Sequence, residues 1–135
     1  MEERSPNKSE LEILQVLWDK GALTAREVHD TLSEEKTVRY TTTLKTMQIM
    51  HQRAFIGRKA SGQTHVYHAL MLQNDTESVL LDNFLKRTFG GSALNMVMKA
   101  LGNYDASSEE LEEIKKMIEQ KSALKNKKGD GESIV

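Results

Sequence analysis

Within "VRYTTTLKTMQIMHQR", residues 38 to 53, threonines at 41, 42, 43 and 46 stand among Arg39, Lys45 and Arg53, with no carboxylate in the stretch. Hydroxyls and cations clustered in this way suit contact with phosphate oxygens and base edges, and short side chains let a backbone approach a groove closely. Threonine is a mediocre helix former, so stability is a poor reason for placing four in six positions. The stretch belongs to an acid-free window from 36 to 74, where Lys36, Arg39, Lys45, Arg53, Arg58 and Lys59 give a formal charge of +6. The rest of the chain has 13 of the 19 basic residues and all 20 acidic ones, so it carries −7. The net charge of −1 therefore conceals a divided molecule.

These residues point to nucleic acid. The candidate contacts are Arg39, Tyr40, Thr41, Thr42, Thr43, Lys45, Thr46, Arg53, Arg58, Lys59 and His65, with Thr43 and Thr46 as the candidate base readers. Tyr40 has two readings, packing under its helix or donating to a phosphate. Arg58 and Lys59 could also be edge-strand charges that discourage aggregation, but beside a phosphate backbone they have a direct use.

Other chemistries find little support. With no cysteine there are no disulfides or thiolate metal sites. His65 and His68 lie three apart in an expected strand, so they face opposite sides and make a poor chelate. His29 and His51 sit on facing apolar stripes, where a core histidine is the usual explanation. No metal and no cofactor is expected. The chain lacks a glycine-rich phosphate loop and a nucleophile elbow, and Glu109, Glu110, Glu112 and Glu113 form a solvated face partnered by Lys115 and Lys116, so no enzyme is expected. The rival from another class is a winged helix used for protein contacts without DNA. A protein-binding wing has no need to exclude every acid over 39 residues.

The elements that position these residues follow from local signals. Asn7 and Glu10 form an N-terminal capping box for a helix with Leu11, Leu14, Leu17 and Trp18 on one face, broken at "KGAL". Thr24 and Glu27 form a second box, opening a helix with Ala25, Val28 and Leu32 inward. A third helix starts near Tyr40 or Thr41 and runs to about Ala54. It is expected to set Leu44, Met47, Met50 and His51 on one side and Thr42, Thr43, Lys45, Thr46 and Gln48 largely on the other. The period then shifts, with Phe55 to Lys59 and Thr64 to Ala69 flanking a turn at Ser61-Gly62, a β-hairpin signature. Three helices and a basic hairpin are the order of a winged helix-turn-helix.

From about Gln73 the chain reads as three short, largely acidic helices, the first stopped at Gly90-Gly91 and the second capped by Ser92. They carry Val79, Leu80, Phe84, Leu85, Leu94, Val97, Leu101, Leu111, Ile114 and Ile118, more apolar surface than so small a unit covers by itself. The expected class is mainly α: a winged helix-turn-helix DNA-binding domain over 7–72, a small three-helix dimerisation domain over 73–122, and a disordered tail over 123–135. Leu80, Phe84, Leu94, Val97, Leu101, Leu111, Ile114 and Ile118 are the candidate dimer contacts. The charged N-terminus is unlike a signal peptide and no apolar run has membrane-spanning length, so a soluble cytoplasmic protein without membrane association of its own is expected.

Taken in order, "ELEILQVLW", "LTAREVHDTL", "YTTTLKTMQIMH", "GQTHVYHA" and "FGGSALNMVMKAL" make the chain resemble the BlaI/MecI/CopY family of bacterial penicillinase-type repressors, from about Asn7 to Lys121. The resemblance implies repression of promoters by a homodimer on palindromic operators, with a membrane-bound sensor metalloprotease as a further partner. Three departures stand out. Members commonly have glycine where the recognition helix ends; Ala54 stands there, so the turn is expected to lack its left-handed cap, at a cost of about 1 kcal/mol. The Asn-Phe bond cut in better-known members is missing from "NMVMKALG", so release is expected by cleavage elsewhere in "NMVMKALGNYD" or, less favoured, without proteolysis. The C-terminal cysteines of copper-responsive relatives are absent too.

Overall fold

The structure, a computed structural model, describes residues 5–133 and the side chains of residues 5–127. Its elements run α1 (Lys8–Lys20), β1 (Leu23–Thr24), α2 (Ala25–Ser33), α3 (Tyr40–Gln52), β2 (Ile56–Ser61), β3 (Thr64–Ala69), α4 (Gln73–Phe89), α5 (Ala93–Asn103) and α6 (Ser108–Ser133). The chain divides into two compact units between Arg87 and Thr88.

Both capping boxes form. The Glu10 N–H donates to Asn7 Oδ1 and the Asn7 N–H to Glu10 Oε1, each at 2.9 Å. Thr24 and Glu27 repeat the exchange at 3.1 and 2.9 Å. Each box satisfies two N–H groups that a helix start leaves without an intrahelical partner. Gly21, at φ 84°, ends α1 in a conformation that a side chain would resist.

The helices α1, α2 and α3 close over one face of an antiparallel sheet of order β1-β3-β2. Ile13, Leu14, Leu17, Ala25, Val28, Met47, Met50, Phe55, Ile56 and Tyr67 form a single buried core. Burying each large side chain stabilises by roughly 1.5–3 kcal/mol, which is what makes three short helices hold together. This is a winged helix. The two-residue β1, which sequence periodicity did not reveal, pairs Leu23 with Tyr67 and Thr24 with Val66. In the wing, Ser61 pairs with Thr64 across Gly62-Gln63. Only Gly62 of the two has positive φ (64°), as a type II′ turn requires. Gly57 makes room across the ladder: a Cβ there would lie 2.6 Å from His68 Nε2.

The exit from the wing is tied down. The N–H groups of Leu70 and Met71 both donate to Phe55 O, at 3.0 and 3.2 Å. The Trp18 indole N–H donates to Met71 O at 2.9 Å. Thr76, in the first turns of α4, is buried and its hydroxyl donates to Leu72 O. In the second unit Gly90 and Gly91 follow the end of α4 at positive φ, after which Ser92 Oγ accepts the Asn95 N–H at 3.1 Å and opens α5. Ser107 and Glu110 form a third capping box at the head of α6. No side chain of α5 is buried. The disordered tail expected from 123 differs from what is found, since α6 continues to Ser133. Ala123, Leu124 and Lys125 are good helix formers, and extending an existing helix needs no new nucleus. Residues 134 and 135 of the expected tail lie outside the described residues.

Candidate nucleic-acid interface

Helix α3 begins without the device that starts α1 and α2: its N-cap is Arg39, with extended backbone and no side-chain cap bond. Its exposed residues near that end are Arg39, Thr41, Thr42 and Lys45, with Thr46 half-buried beside them. Positions 42, 45, 46 and 49 share one side of a helix, three and four residues apart. The Thr46 hydroxyl donates to Thr42 O at 2.9 Å, so its donor is already used within the helix.

Thr43 is not on this face, which corrects its assignment as a base reader. It is 2% exposed, and its Oγ1 lies 3.0 Å from His29 Nδ1. Four residues before Met47 and seven before Met50, it belongs to the buried stripe, where a hydroxyl is tolerated because the imidazole partners it. His29 also reaches Ser33 Oγ through Nε2 at 3.3 Å. Of the two readings of Tyr40, the geometry favours packing. The ring stands edge-on to His29 at 5.6 Å between centroids, and the Arg26 guanidinium lies over its face at 3.9 Å.

Arg53 has packing partners as well. At the C-cap of α3, its Nη1 approaches Glu10 Oε2 at 3.2 Å and its guanidinium lies 4.3 Å above the Phe55 ring. Glu10 is 3% exposed, so this cation compensates a carboxylate that burial would otherwise penalise. Arg53 thus braces α1 against α3, with 47% of its side chain still exposed. The next residue overturns the expectation of a missing cap: Ala54 adopts φ 60°. Its N–H donates to His51 O at 3.0 Å and the Phe55 N–H to Met50 O at 2.9 Å, the bond pattern of a Schellman cap, with Met50 and Phe55 both in the core. The left-handed turn is therefore made with an L-residue, which strains against its Cβ.

In the wing, Arg58 pairs with Tyr67, Lys59 with Val66 and Ala60 with His65. Alternation puts Arg58 and His65 on the sheet face that holds Tyr67, and Lys59 on the other. The His65 ring lies 6.5 Å from that of Tyr67. All three basic side chains are exposed. Of the six cations in the acid-free window, Arg53 meets Glu10 and Lys36 meets Glu12. Arg39, Lys45, Arg58 and Lys59 have no carboxylate partner among the described residues.

Two residues of this surface escaped the sequence reading. Arg26 precedes the acid-free window, and only folding brings it over Tyr40 at the head of α3. Ile49, which the sequence reading assigned to neither side of α3, is 41% exposed on the side shared by Thr42, Lys45 and Thr46.

A family model described as penicillinase repressor matches residues 7–120. A penicillinase repressor of Bacillus licheniformis is 27% identical over 112 residues, spanning 83% of this chain and 88% of the relative. A penicillinase repressor of Staphylococcus aureus is 20% identical over 110 residues, spanning 82% and 87%. A solved transcriptional regulator of Thermotoga maritima superposes with a TM-score of 0.48 at 14% identity, over 87% of this chain and 79% of that one.

Proposed function

The chain belongs to the penicillinase repressor family and is a DNA-binding transcriptional repressor, and from that premise we propose that it holds a palindromic operator as a homodimer. Each protomer lays α3 in the major groove and the β2–β3 wing along flanking backbone. The observation that carries the reading is a segment with no carboxylate from Lys36 to Asn74, in which exposed Thr41, Thr42 and Lys45 and half-buried Thr46 share the start of a helix whose N-terminus has no side-chain cap. The N-terminal N–H groups and dipole of such a helix favour phosphate. Arg39, Lys45, Arg58, Lys59 and His65 contact the backbone, joined by Arg26; Thr41, Thr42 and Thr46 face bases. The same charge pattern weighs against a wing used for protein contacts alone.

Residues 73–122 serve as the dimerisation domain. Phe84 of α4, Leu94, Val97 and Leu101 of α5, and Leu111 and Ile118 of α6 are all exposed in the single chain, with Leu80 and Ile114 half-buried. A second copy covers such faces most simply, and two-fold symmetry then matches an operator palindrome. The repressor acts in the cytoplasm; no helix among the described residues is long and apolar enough to cross a membrane. Its release follows the family resemblance, by a membrane-bound sensor metalloprotease cutting within "NMVMKALGNYD", with a route without proteolysis as the less favoured alternative.

Salt titration of operator binding by the intact protein tests the reading. With three or four phosphates neutralised per protomer, log K against log salt slopes at roughly −5 to −7 for a dimer. A slope near zero overturns it in favour of protein contacts.

A further inference from the structure

Ile49 is the one large apolar side chain exposed on α1, α2 or α3 among the described residues. A single exposed isoleucine needs no explanation by itself. Its position does. The apolar residues that hold α3 to the core are Met47 and Met50, with Leu44 and Tyr40 packed against them, and Ile49 is not in that cluster. It falls instead on the stripe of Thr42, Lys45 and Thr46, seven, four and three residues before it. At Thr46 the hydroxyl proton is given to Thr42 O, so the side chain has only an acceptor oxygen and its γ-methyl left to offer. One side of α3 therefore ends in hydrocarbon at two places three residues apart, about 4.5 Å along the helix axis. Stacked base pairs are spaced by about 3.4 Å, so with α3 lying along the groove the two groups are spaced to reach neighbouring pairs.

The apolar feature that a major groove offers is the C5-methyl of thymine. We propose that Ile49, together with the Thr46 methyl, reads thymine C5-methyl groups, making both specificity-determining residues of the repressor. The inference rests on the reading that α3 enters the major groove. Lys45, on the same stripe, supplies charge beside them, while the two readers contribute shape and burial. Exclusion of water between two methyl-bearing surfaces is the driving force, and the loss of one buried methyl is worth a several-fold change in affinity.

The test uses the intact protein and an operator obtained by selecting from random duplex DNA. Each thymine is then replaced in turn by deoxyuracil, which lacks only the C5-methyl, and binding is measured by competition. The wild type is expected to lose about three- to ten-fold at one or two positions in each half-site. Ile49→Ala is expected to bind the thymine operator more weakly and to be indifferent to deoxyuracil at one of those positions. Ile49→Val retains the preference. Thr46→Ser, which keeps the hydroxyl and loses the methyl, is expected to be indifferent at the neighbouring position. The substitution in the DNA leaves the protein's folding untouched. A wild type indifferent to every deoxyuracil, or an Ile49→Ala protein with the full thymine preference, overturns the inference while leaving DNA binding intact. A selection that enriches no duplex overturns both.

Discussion

Ala54 offers a direct measure of how much strain the recognition helix carries at its end. The residue holds φ 60° because the two cap bonds, Ala54 N–H to His51 O and Phe55 N–H to Met50 O, need a left-handed step before Phe55 enters the core. An L-residue in that region costs about 1–2 kcal/mol relative to the right-handed form. Glycine removes the strain but also loosens the unfolded chain by about 0.4–1 kcal/mol. Ala54→Gly should therefore stabilise the winged domain by about 0.5–1 kcal/mol, raising its melting midpoint by roughly 2–8 °C for a domain of this size. Trp18, the single tryptophan, packs against the same core and donates to Met71 O, so its fluorescence follows this domain's unfolding within the full chain. Ala54→Val should melt lower than the parent, since a β-branched side chain at positive φ is a steric outlier. If Ala54→Gly melts at or below the parent and Ala54→Val is neutral, the cap is not left-handed and the reasoning fails.

Thr43→Val should lose about 1–3 kcal/mol in urea unfolding, because His29 Nδ1 is left without its partner, and should keep the parent's base preferences. A changed preference at undiminished stability would return Thr43 to the reading face. Arg53→Ala should cost about 1–3 kcal/mol by stranding buried Glu10, with the salt slope of DNA binding unaltered. A slope flattened by about one ion per protomer would instead put Arg53 on a phosphate. Leu101→Asp combined with Ile118→Asp should turn a dimer into a monomer in sedimentation and weaken operator binding at least ten-fold, because each half-site is then held by one small module. An intact dimer from that variant would exclude these faces from the interface.

How much of this the sequence disclosed follows from the range of each interaction. The starts of α1 and α2 were legible because a capping box is closed between residues three apart, Asn7 with Glu10 and Thr24 with Glu27. The wing was legible through its period and its turn glycine. Thr43 was misplaced because its chemistry was weighed above its spacing: a threonine four before Met47 belongs with Met47. Arg53 was beyond local reasoning, since its partner Glu10 is 43 residues away. Arg26 over Tyr40 is likewise a product of tertiary packing. At Ala54 the sequence identified the right position but not the outcome. The core contacts of Met50 and Phe55, each 1% exposed or less, outweigh a strain of about 1–2 kcal/mol.

The division of roles between charged and neutral residues has a measurable consequence. In the proposed complex the cations without carboxylate partners among the described residues, Arg39, Lys45, Arg58 and Lys59, meet phosphates, which are the same in every duplex. The proposed readers, Thr41, Thr42, Thr46 and Ile49, are all neutral and release no counterions when they bind. Raising salt should therefore weaken operator and random DNA nearly in parallel, each along a steep slope, while the ratio between them stays almost constant. The discrimination should instead respond to the neutral residues: Ile49→Ala lowers the ratio with the slope unchanged, and Lys45→Ala reduces the slope by about one per protomer with the ratio nearly unchanged. Competition between selected operator and random duplex across a four-fold range of salt distinguishes the two effects. A ratio that falls as steeply as the affinity itself would mean that one of the cations reads a base edge, and Lys45, alone among the four in lying within α3, would be the one to substitute first.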